Sequence, residues 1–213
     1  ATPSPYARKI RIALLEKGIP FKLQSEIPWH SSTETPKYNP LEKLPVLIFD
    51  DERPPIYESW YIQEYLVQKY RDHGPLLMPE GLDDQLFVRQ IQVLADGACD
   101  AMGLVFFETM RGEMKSEEWL SRQYRKVNGV LAAADKLVKK SGEGKFLVCD
   151  EFSIADIALG SMLGMMNLVE TQYGMIQFLR KYPALTKYWE MLEARESFQK
   201  TQPEMFELSE KVT

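Results

Sequence analysis

The chain has 213 residues, 45% of them apolar and 27% charged, with 26 basic against 31 acidic side chains and a formal charge of −5. That length suits one large domain or two of about 100 residues, with enough apolar material for a real core. The basic residues are scattered, which argues against a nucleic-acid partner, and the longest nearly apolar run, 157–169, is too short to span a bilayer.

In chain order, Tyr6, Ile10, Ala13 and Leu14 recur at helical spacing over 5–17. Ser4 is a ready N-cap and Pro5 suits the first turn, while Gly18 and Pro20 stop the helix. Phe21, Leu23, Ser25 and Ile27 alternate with polar residues and predict a strand, and 45–49 reads as a buried one. Residues 50–53 make a turn, Ile56-Tyr57 a short return strand, and 60–71 a further helix. Beyond a linker over 74–81 the character changes. The substantial segments 84–111, 117–140, 153–170 and 183–193 all have helical period, so a small α/β domain over 1–75 and an all-helical domain over 84–213 are expected. Within the latter, Phe152-Ser153-Ile154-Ala155-Asp156-Ile157 reads as a capping-box variant with a hydrophobic staple, whose role is to fix a buried helix.

Three early segments carry the chemistry: Ser4 to Lys9, then Lys43-Leu44-Pro45-Val46, then Glu58-Ser59. Each can place backbone or hydroxyl donors where a small anionic thiol peptide would lie. Ser4 can serve as a plain helix cap or can donate to a thiolate. Arg8 can add positive potential there, though a solvated surface charge is the expected role. Met102, Phe106, Phe107 and Met110 form a stripe that suits core packing or the wall of an apolar cleft. Cys99 and Cys149 fit no metal or disulfide spacing and no signal-peptide pattern opens the chain, so a reduced, cytoplasmic setting without a metal is expected.

Taken together, Ser4-Pro5-Tyr6-Ala7-Arg8-Lys9-Ile10, the run Asn39 to Leu47, Glu58-Ser59 and the 152–157 cap resemble the cytosolic glutathione transferase superfamily over essentially the whole chain. The first motif is similar to classes with serine or cysteine at that position, such as tau and omega, and to related bacterial and fungal proteins. The resemblance implies a thioredoxin-like first domain joined to the all-α one, a cis Pro45, and a homodimer. It implies glutathione as co-substrate, held by Lys43, Val46, Glu58 and Ser59, with Ser4 stabilising the thiolate that attacks a largely apolar electrophile. Lys43 can pair with the glycyl carboxylate or stay solvated, and His30 is expected at the surface. A non-catalytic regulatory or interaction protein is the rival implication, as is a glutathione-dependent isomerase, lyase or dehalogenase. Two departures stand out. Glu42 occupies a position where many relatives carry Gly. The family fold also places a strand ahead of Ser4, between those containing Phe21 and Val46, so residues upstream of Ala1 are expected to supply it, and an intact mass would test that.

Overall fold

The computed structural model describes residues 3–205. Its backbone contacts divide the chain into two units: the described residues up to Leu77 together with those from Arg195 onward, and Met78–Ala194. The expected all-helical domain over 84–213 includes the stretch from Arg195. That stretch is counted instead with the first unit, where its short helix α8 (Glu196–Gln199) packs against the opening helix α1 (Pro5–Glu16).

Helix α1 begins as its sequence predicts, with Ser4 extended at φ −70°, ψ 118° and Pro5 pre-set for the first turn. Ile10, Ala13 and Leu14 are buried, and so are Ile12, Arg8 and Lys9, so the helix meets the core on more than one side. Arg8 is therefore not the solvated surface charge expected of it. It is enclosed by a segment about 190 residues away in sequence, an approach that no local pattern announces.

Residues 21–27 do not form the expected strand. Phe21 and Leu23 are exposed, and no ladder partner meets the segment among the described residues. Alternation marks which side chains share a face, but a strand exists only through a neighbour's N–H and C=O groups. The strand expected ahead of Ser4 lies outside the described residues. What sheet is described is one antiparallel pair, β1 (Val46–Leu47) and β2 (Ile56–Tyr57), with Val46 opposite Tyr57 and Leu47 opposite Ile56.

The expected strand over 45–49 is thus trimmed to two residues, and the chain beyond it is fixed by side chains. Arg53 Nε lies 2.8 Å from both Asp51 carboxylate oxygens, Nη1 donates to the Tyr65 hydroxyl at 3.3 Å, and the guanidinium lies 4.1 Å from the Phe49 ring centroid. Tyr65 belongs to α2 (Ser59–Lys69), which packs on α1 and on both strands. Past α2, Gly74 adopts φ +60° with the Glu16 carbonyl oxygen 2.8 Å from where a Cβ would sit, so a side chain is excluded twice over.

The second unit is helical: α3 (Leu82–Thr109), α4 (Glu117–Ser141), α5 (Ile154–Tyr173), α6 (Phe178–Lys181) and α7 (Pro183–Glu193). Helix α5 is buried on all sides from Ile154 to Gly164, as a helix apolar all round must be. Its start is the predicted capping box. Asp156 accepts from the Ser153 amide at 2.8 Å and its hydroxyl at 3.0 Å, and also from the Leu147 amide at 3.0 Å and the Tyr188 hydroxyl at 2.6 Å. Burial pushes the Asp156 carboxyl up while these bonds pull it back, and burial beside that carboxyl drives the Tyr188 phenol well up.

Candidate functional site

Ser4 caps α1 with its Oγ accepting from the Ala7 amide at 3.3 Å. An oxygen used as an acceptor keeps its own hydrogen available, so the hydroxyl can donate to an anion at the helix amino end, where the helix dipole favours negative charge. Arg8, one turn further on, lies wholly inside the protein.

The second motif is built around Asn39. Buried, it accepts from the Leu41 amide at 2.9 Å through Oδ1 and donates to the Lys43 carbonyl at 2.8 Å through Nδ2, closing the loop that precedes the strand. Glu42 takes the left-handed φ of +53° in that loop, the conformation that Gly adopts most easily. The Leu44–Pro45 bond is cis, and Val46, half-buried, opens β1 immediately after it. Lys43 is exposed.

The third motif lies at the end of β2. Glu58 turns the chain at φ 73°, ψ 120°, and Ser59 enters α2 buried, with its hydroxyl donating to Glu58 Oε1 at 3.1 Å. The pair thus presents an acidic side chain next to the open amides of a helix start, a combination able to meet both ends of an amino-acid head group. Because α2 contacts α1, β1 and β2, one framework carries Ser4, Val46, Glu58 and Ser59.

Two contributors have no counterpart among the expected site residues. Asn39 carries no expected role in the sequence, although an Asn that spans its own loop is a known turn device. Arg8 is expected at the surface, and its burial depends on the distant segment around Phe198, which no local spacing announces.

The remaining candidates separate. Met102 is core, Phe106 is half-buried, and Phe107 and Met110 are exposed at 45% and 55%, so the stripe divides between packing and surface. Cys99 is buried. Cys149 is exposed, but a hydrogen bond with Asp84 pushes its thiol up, the opposite of what an activated nucleophile needs. His30 is half-buried. Cavities of about 240 and 280 Å³ in the second unit are lined by none of the predicted glutathione-site residues.

A family profile described as the glutathione S-transferase N-terminal domain matches residues 3–69, and one described as the C-terminal domain matches 98–196. The chain belongs to the glutathione S-transferase family. Among its relatives is the uncharacterized GST-like protein YibF of Escherichia coli K12, 35% identical over 206 residues and covering 94% of this chain and 95% of its own. A glutathione S-transferase from Methylobacterium radiotolerans, solved in complex with glutathione sulfonate, matches 100% of this chain and 96% of its own at 42% identity and a TM-score of 0.90. Another, from Methylobacillus flagellatus with glutathione bound, matches 95% and 96% at 33% identity and a TM-score of 0.85. The family fold therefore holds here, with a small sheet-and-helix first domain and a helical second domain.

Proposed function

We propose that this glutathione S-transferase binds glutathione through Lys43, Val46, Glu58 and Ser59, ionises its thiol beside Ser4, and delivers the thiolate to an electrophilic, largely apolar small molecule. The observation that carries the reading is the Ser4 hydroxyl, which caps α1 as an acceptor and so has its proton to give. The relatives solved with glutathione and glutathione sulfonate support the choice of peptide.

The energetics suffice without a general base. A thiol titrates near pH 8.5, and lowering that by about 2 units takes about 2.7 kcal/mol. A hydrogen bond to a charged partner contributes about 1.5–3 kcal/mol and a helix amino terminus about 0.3–1. Ser4 therefore stabilises thiolate and does not itself attack the substrate. The Val46 backbone pairs with the peptide as an added strand, Ser59 and the α2 amides receive the γ-glutamyl carboxylate, Glu58 takes its ammonium group, and Lys43 the glycyl carboxylate. A cytoplasmic homodimer needing no metal completes the reading.

The test is calorimetric titration with glutathione together with a conjugation assay across a panel of electrophiles. Ser4→Ala is expected to bind glutathione within a few-fold of wild type and to lose about 10- to 100-fold in turnover near neutral pH, the equivalent of one hydrogen bond to a charge. Unchanged turnover in that variant removes Ser4 from the mechanism.

A further inference from the structure

The first turn of α1 carries the proposed thiol donor, and the first turn of a helix is its weakest part, with amides that lack intrahelical partners. A hydroxyl that must meet a thiolate within about 0.5 Å needs that turn held still. The Arg8 amide makes the first rung of the helix, donating to the Ser4 carbonyl at 3.0 Å. The side chain of the same residue is 0% exposed. Its Nη2 donates to the Phe198 carbonyl at 3.2 Å, its Nε to Thr201 Oγ1 at 3.5 Å, and its guanidinium carbon lies 5.2 Å from the Phe198 ring centroid.

The receiving groups are themselves fixed. Phe198 and Thr201 are 0% and 1% exposed, and the Thr201 hydroxyl donates to the Ser197 carbonyl at 2.8 Å. Further along, Arg11 Nη2 donates to the Lys200 carbonyl at 3.2 Å, and Glu16 pairs with Arg195 and accepts from Ser197. Each turn of α1 is thereby tied to the segment 195–201. Burying a guanidinium is expensive, and an apolar side chain would serve mere packing better. What the fork adds is direction: two acceptors held at once fix the rotation of α1 about its own axis.

Resting on the Ser4 reading above, we propose that Arg8 is a positioning residue for Ser4, and that the segment 195–201, through its hold on Arg8, is part of the thiol-activating apparatus. The segment then acts on the acidity of bound glutathione without touching the peptide.

The experiment follows the thiolate absorbance of enzyme-bound glutathione, and turnover of 1-chloro-2,4-dinitrobenzene, against pH in wild type, Ser4→Ala, Arg8→Met, Arg8→Lys and Thr201→Val. Arg8→Met is expected to raise the bound thiol's apparent pKa by about 1 unit, an about 10-fold loss of turnover at slightly acid pH that is recovered in alkali, with the KM for glutathione within about threefold. Arg8→Lys, which keeps the charge but loses the fork, and Thr201→Val, which keeps the shape but removes one acceptor, are expected to shift it about half as far. Hydrogen exchange at the Ala7 amide is expected to quicken in all three. Should Arg8→Met fail to fold, Thr201→Val decides. A wild-type thiol pKa in Thr201→Val and Arg8→Lys, or a loss of turnover equal at every pH, overturns the proposal. If Ser4→Ala raises the thiol pKa and these variants do not, only the role of Arg8 falls; if Ser4→Ala leaves it unmoved, the Ser4 reading and this one fall together.

Discussion

Glu26 illustrates how much a single side chain in an irregular stretch can organise. Its carboxylate accepts from the Thr33 hydroxyl at 2.7 Å, the Glu34 amide at 3.2 Å and Gln24 Nε2 at 3.3 Å. The Thr33 bond, ahead of a smaller opposing effect of burial, holds this carboxyl below the usual range. A carboxyl lowered on folding binds fewer protons in the native state than in the unfolded one. Its stabilisation is therefore present above the unfolded pKa and lost as pH falls through the folded value. Glu26→Gln is expected to be less stable than wild type at neutral pH, with the gap closing below about pH 4. Urea midpoints measured across that range check this, and a gap that persists unchanged into acid would contradict it. Nothing in the local sequence pairs Glu26 with Thr33, because the loop that joins them has no period to read.

Among the elements, α5 is the one whose sequence and structure agree most closely. Its cap, its apolar surface and its start at Ile154 were all legible, since each depends on neighbours within one turn. The wider role of Asp156 was not legible, because two of its donors, Leu147 and Tyr188, lie 9 and 32 residues away. The distinction has consequences for stability. Ser153→Ala removes a cap and is expected to cost about 1–2 kcal/mol. Asp156→Ala leaves a buried phenol and two buried amides without their acceptor and is expected to cost about 3–5 kcal/mol. Chemical denaturation of the two variants measures the difference, and equal costs would mean that the cap alone matters. The failed strand over 21–27 is the converse case, where a correct local alternation met no partner among the described residues.

At the scale of the whole molecule, the first unit is assembled from both ends of the described chain. Arg195 Nη2 and Nε donate to Glu16 at 2.7 and 3.0 Å, a two-pronged pair in which the Glu16 side chain is only 10% exposed. Glu16→Ala is expected to destabilise by about 1–3 kcal/mol, discounted for the partial exposure of Arg195, and to raise hydrogen exchange along α1. Unaltered exchange there would show that the segment from Arg195 does not brace this helix. The change from mixed to helical character and the helix caps were determined by the sequence itself, because capping and periodicity act between residues a few positions apart, whereas the cis Pro45 was implied by the family resemblance. Only the tertiary structure decided that Arg8 is interior, that Asn39 spans its loop, and that the segment after Ala194 joins α1. Those facts depend on which distant surfaces meet, and burial of a charge becomes affordable only once its partners have been brought from elsewhere in the chain.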